Sequence, residues 1–126
     1  MPELPEIAIL AKDLSAIART GPLKALSFCG PEPFATRLFP SDVRLVLRSL
    51  VGNRIHVTAQ GKYLVLSSGN ALVSIHLGMT GQFQIEAPPP RYRAHHFATL
   101  EWPRQSCHFL DFRRFARAHL GPQDNS

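Results

Sequence analysis

The chain has 126 residues, 44% hydrophobic and 18% charged, a length and balance that suit one globular domain with its own core and exclude a disordered segment. Apolar stretches such as 71–73 are far too short for a membrane span, and Glu3 and Glu6 stand where a signal peptide would carry positive charge. Fourteen Lys and Arg against nine Asp and Glu give +5, and eleven of those cations are arginine. The arginine fork suits phosphate, but a GC-rich genome produces the same bias, so charge alone leaves a nucleic-acid partner open.

Residues 3–18 place Leu4, Ile7, Leu10, Ala11, Leu14, Ile17 and Ala18 at the spacing of one helix face. Pro2 and Pro5 fall at or before the first turn, where a missing N–H costs nothing. Gly21-Pro22 ends this helix, and a strand is predicted over 23–29. A Pro-rich loop through Pro31, Pro33 and Pro40 leads to Ser41, a good N-cap for a second helix over 42–50. That helix turns Val43, Val46, Leu47 and Leu50 inward and Arg44 and Arg48 outward, and Gly52-Asn53 stops it. Strands follow at 54–59, 62–68, 71–77, 82–87, 96–102 and 106–112, with a short last one near 115–120. Ser68-Gly69-Asn70 is a hairpin signal, and Pro88-Pro89-Pro90 with Arg91-Tyr92-Arg93 is an exposed loop. The pattern predicts a mainly β protein with two helices: a two-sheet antiparallel β-sandwich, or pseudo-barrel, capped by the N-terminal helix and the second helix.

Cys29 and Cys107 are far apart and in no C-x-x-C pattern, so neither a disulfide scaffold nor a metal site is signalled. Four other segments carry possible chemistry. In Met1-Pro2-Glu3-Leu4-Pro5-Glu6, methionine before proline is readily removed, leaving Pro2 a free secondary amine. An α-amine near pKa 8 is hundreds of times more neutral at pH 7 than a lysine near 10.4, by roughly the antilogarithm of that difference, and a helix N-terminus lowers it further. Glu3 is placed to shuttle a proton. The structural alternative is that P-E-x-P-E is simply a good helix start. Gly61-Lys62-Tyr63-Leu64 opens an apolar strand with one lysine, ordinarily a solvated residue. His76-Leu77-Gly78-Met79-Thr80-Gly81 ends a strand in a glycine-bracketed turn that presents a methionine, or packs it. In Asp111-Phe112-Arg113-Arg114-Phe115, Arg113 and Phe115 share a side if the segment is extended. A cation and a ring there suit phosphate and base stacking, with cation–π packing at a strand edge as the alternative.

Taken together, P-E-L-P-E, G-K-Y-L, H-L-G-M-T-G and D-x-R-R-F resemble, in order and spacing, the N-terminal catalytic domain of the formamidopyrimidine-DNA glycosylase/endonuclease VIII family, formamidopyrimidine branch. The resemblance implies base-excision DNA repair: an N-glycosylase/AP lyase that removes oxidised purines through a Schiff base on Pro2, with β- and δ-elimination following. Catalytic roles would fall to Pro2, Glu3 and Lys62. Met79, Arg113 and Phe115 match residues that fill the hole left by a flipped nucleotide, and His76 with His95 or His96 match positions near the DNA backbone. His56, His108 and His119 remain ordinary strand or surface residues. As an isolated domain the chain is expected to be weakened or inactive, and a non-catalytic damaged-DNA-binding remnant of the same family is the alternative.

The sequence departs from the family pattern at Ala8, Gln60, Phe112 and Ala116, where glutamate, arginine, proline and glycine are usual, and at the adjacent His95-His96 pair. The domain is expected over 1–121, with 122–126 a linker-like tail. The family's helix-two-turn-helix and zinc-finger parts have no counterpart here, so neither metal nor cofactor is expected in this chain. The implied partner is damaged double-stranded DNA, met by a monomer in the bacterial cytoplasm, nucleoid-associated and off the membrane. A C-terminal half supplied separately stays open.

Overall fold

The computed structural model describes residues 4–85 and 93–123. Helix α1 (Leu4–Ala18) leads into β1 (Ala25–Phe28), followed by α2 (Phe34–Leu38) and α3 (Ser41–Ser49). Strands β2 (His56–Gln60), β3 (Tyr63–Ser68), β4 (Ala71–His76) and β5 (Gly81–Ile85) come next. A short 3-10 turn (Arg93–His95) precedes β6 (His96–Glu101), β7 (Ser106–Asp111) and β8 (Arg117–Leu120). The strands form two four-stranded sheets, ordered β1-β6-β7-β5 and β2-β3-β4-β8, with every pairing antiparallel.

Strand alternation builds the core directly. In the second sheet Leu64, Leu66, Val73, Ile75 and Ala118 point inward and are buried. The first sheet meets them with Phe97, Leu100, Cys107 and Phe109. Phe109 takes the edges of Phe39 and Phe83, with ring centroids 5.9 and 4.9 Å away. Ile7, Ala11, Leu14, Ile17 and Ala18 of α1 close one side of this core, as their spacing predicts. Burial pushes the Cys107 thiol up to about 12, so it is an inert core group.

Three sequence expectations need correction. The Pro-rich segment contains a third helix, α2, because Pro31 and Pro33 stand where their missing N–H groups are not needed. Their carbonyls accept from the amides of Ala35 and Arg37 at 3.0 and 3.1 Å. The Glu32 carboxylate accepts from the Thr36 N–H at 2.8 Å and also from its hydroxyl, and this pulls the acid's pKa down. Ser41 is the first helical residue of α3 rather than its cap. Pro40 holds the cap position with extended backbone, and the Asp42 carboxylate accepts from the Val43 N–H. Arg44, expected outward, is half-buried, with Nε donating to the Phe39 carbonyl and the guanidinium over the Phe28 ring. The expected loop at Pro88–Arg93 falls almost wholly outside the described residues.

Candidate functional site

The chain changes sheet at three places, and two of them are sequence motifs. Between β4 and β5 the chain leaves the second sheet for the first; between β7 and β8 it crosses back. Because β4 pairs with β8 and β5 with β7, the registers His76↔Arg117 and Gly81↔Asp111 set the two crossings side by side. Residues 77–80 form one crossing and residues 112–116 the other.

The first crossing is a tight turn closed by the Gly81 N–H donating to the Leu77 carbonyl at 2.8 Å. A Cβ on Gly81 would lie 2.3 Å from that carbonyl oxygen, and Gly78 has φ +62° with the backbone of Phe115 and Ala116 pressed against it. Both glycines are therefore required by space, and Gly78 also by conformation. Met79 at the tip is 49% exposed.

The second crossing is not extended. Arg114 takes φ 62°, a left-handed conformation rare for a side-chain-bearing residue. It turns its guanidinium over Phe34 of α2, 4.2 Å from the ring centroid, with Nη2 donating to the Ala94 carbonyl. Arg113 and Phe115 on either side remain exposed and stack, the guanidinium carbon 5.5 Å from the ring centroid. Met79, Arg113 and Phe115 thus stand on adjoining loops at one end of the sandwich.

Beside them lies a basic row. Tyr63, His76 and Arg117 face one another across β3, β4 and β8, and His119 follows on the same face. The Tyr63 ring meets the edges of His76 and His119 at 5.3 and 6.3 Å, and exposed Lys62 sits at the turn before β3. Burial, then the charges of Lys62 and His119, hold the His76 pKa below its ordinary 6.5. Its Nδ1 accepts from the Gly78 N–H at 3.1 Å, which puts the proton of the neutral ring on Nε2. Arg117 Nη1 donates to the carbonyls of Arg114 and Ala116. Hydrogen bonds to His76 and from Arg117 tie the row to both crossings.

The two neighbouring histidines part company. His95 stacks on Phe112 at 4.6 Å, at the root of the second crossing. His96 Nε2 lies 2.8 Å from Thr99 Oγ1, which in turn meets Nδ1 of buried His108 at 2.9 Å. Pro2 and Glu3 lie outside the described residues. Sequence reasoning passed over Thr80, Asp111, Arg114, Arg117 and His119. The last two reach the site only because β8 pairs with β4, which local sequence does not signal. Among the described residues no three His, Cys, Asp or Glu side chains are grouped to hold a metal ion, and no helix is long and apolar enough to cross a membrane.

A family model for the formamidopyrimidine-DNA glycosylase N-terminal domain matches residues 1–118. Curated relatives include the formamidopyrimidine-DNA glycosylases of Pelotomaculum thermopropionicum, 32% identical over 98% of this chain and 45% of that protein, and of Aromatoleum aromaticum, 29% identical over 91% and 41%. The chain therefore spans less than half the length of these relatives. Among solved structures, a MutM protein in complex with carbocyclic 8-oxo-G containing DNA superposes with a TM-score of 0.76 at 21% identity, over 94% of this chain and 43% of that one. The Lactococcus lactis protein with a FAPY-dG containing DNA gives 0.75 at 21% identity over the same shares. A match running from the first residue into β8, on a shared fold, makes this chain a member of the formamidopyrimidine-DNA glycosylase family and an example of its N-terminal domain.

Proposed function

We propose that the chain is the catalytic half of a base-excision repair enzyme, an N-glycosylase and AP lyase acting on oxidised purines in double-stranded DNA. The observation that carries this reading is the pairing of two sheet crossings that present Met79, Arg113 and Phe115 together. An enzyme that swings a nucleotide out of the duplex must fill the hole, because lost stacking amounts to a few kcal/mol, about what an inserted wedge must offset. Met79 and Phe115 offer apolar bulk, and Arg113 offers donors to the base left behind. His76 and His95 flank the crossings, where a DNA backbone would run.

In this reading Met1 is removed and the Pro2 nitrogen attacks C1′ of the lesion nucleotide. The glycosidic bond breaks with its electron pair leaving on the base, which takes up a proton near Lys62. The C1′–O4′ bond then opens to form the iminium, O4′ taking a proton through Glu3, and β- and δ-elimination at C3′ and C5′ release the phosphates. The chemistry calls on no cofactor from this chain. The relatives are bacterial, which fits an enzyme working on DNA in the cytoplasm at the nucleoid, and in this reading it acts as a monomer.

Borohydride reduction tests the reading. Protein lacking Met1, mixed with abasic-site duplex, should yield a covalent adduct, and Pro2→Gly should trap less. A second reading, a damaged-DNA-binding domain without chemistry, rests on the departures from the family pattern at Ala8, Gln60, Phe112 and Ala116. Salt-sensitive binding to lesion duplex with no trapping at all would select it.

A further inference from the structure

Asp111 ends β7 with no exposed surface, and each of its carboxylate oxygens accepts a hydrogen bond. Oδ1 accepts from the Thr80 hydroxyl at 2.6 Å and Oδ2 from the Ala116 N–H at 2.8 Å. The Thr80 oxygen accepts in turn from the Arg113 N–H at 2.8 Å. One carboxylate and one hydroxyl therefore span both crossings, and each bond ends next to a residue of the wedge: Met79 beside Thr80, Arg113 itself, Phe115 beside Ala116. Gly78 adds a steric seam, because a Cβ there would stand 2.9 Å from the Ala116 nitrogen.

We infer that Asp111 and Thr80 are positioning residues that lock the two crossings into a single wedge, so that Met79, Arg113 and Phe115 enter DNA as one preformed unit. The inference rests on the functional reading above. A buried carboxylate is an expensive way to hold a turn, since it must be removed from water and every lone pair satisfied. What it supplies is short, directional, charge-assisted bonding between loops that belong to different strand pairs. Two independent loops would have to order on the DNA and lose affinity for doing so; a preformed wedge does not.

Thr80→Val keeps the shape of the side chain and the acid in place, but takes the hydroxyl donor from Asp111 Oδ1 and strands the Arg113 N–H. The measurement is the ratio of affinities of the 126-residue protein for a duplex with one tetrahydrofuran abasic site and for the same undamaged duplex. 2-Aminopurine opposite the site reports insertion. Thr80→Val should lower the ratio about ten- to a hundredfold, the effect of losing two such bonds, leave undamaged-duplex binding and its salt dependence unchanged, and lose the 2-aminopurine response. Thr80→Ser should restore both. Full lesion preference in Thr80→Val would overturn the inference alone. A wild-type protein with no preference for the abasic duplex would overturn the functional reading, and the inference with it.

Discussion

His76 serves both halves of the site. Its ring belongs to the basic row, and its Nδ1 holds the first residue of the Met79 turn. Protonation would remove that acceptor and place a cation beside Lys62 and His119. Its folded pKa lies below the ordinary value, so the folded state prefers the neutral ring. The stabilisation is complete above about pH 6.5, the unfolded value, and is lost as the pH falls through the lowered one. Urea midpoints should therefore fall between pH 7 and pH 5 more steeply for the wild type than for His76→Asn, whose side-chain oxygen replaces Nδ1 as acceptor without titrating. Equal slopes would remove His76 from the account. At this scale the sequence was legible where a motif fixed the environment, as for Met79 between its glycines. It could not separate His95 from His96: their order says only that they alternate. A β-bulge between His96 and Ala98 decides which ring joins Thr99 and which reaches Phe112.

The crossings show what local pattern cannot reach among the elements. Strand periodicity located each strand to within about two residues, since alternation of buried and exposed positions is written locally. It could not show that β8 leaves its neighbour β7 for β4, and so it could not bring Arg117 and His119 beside His76. Helix α2 was hidden by proline, which reads as loop unless it stands at the cap or just before a first turn, as it does here. Gly78 is where the elements touch most closely, and it allows a direct test of their docking. Gly78→Ala adds left-handed strain, on the order of 1 kcal/mol or more, and drives a methyl into the backbone of Phe115 and Ala116. Unfolding in urea should show a loss of about 1–3 kcal/mol, and the Arg113 and Ala116 amides should exchange faster than those of the opposite sandwich end. Unchanged exchange at those amides would mean that the crossings do not lean on one another.

Across the whole molecule, one aromatic core carries the sheets that bear the crossings. Phe109 is fully buried between Phe39 and Phe83, so Phe109→Ala should destabilise by about 3–5 kcal/mol, read from urea or thermal unfolding. A loss below about 1 kcal/mol would place the core elsewhere. Such a truncation should weaken every site function together, unlike Thr80→Val, which should alter lesion preference alone. The excess of arginine, indecisive as composition, gains meaning from position: Arg113, Arg114 and Arg117 occupy one crossing and its strand. The central claim is that this chain carries the nucleophile as well as the wedge. Peptide mapping of the borohydride-reduced adduct between Met1-free protein and abasic-site DNA tests it most directly. The account predicts that the DNA remnant is found on the N-terminal peptide, at the Pro2 nitrogen; an adduct on Lys62 or another lysine, or none with fully demethionylated protein, would contradict it.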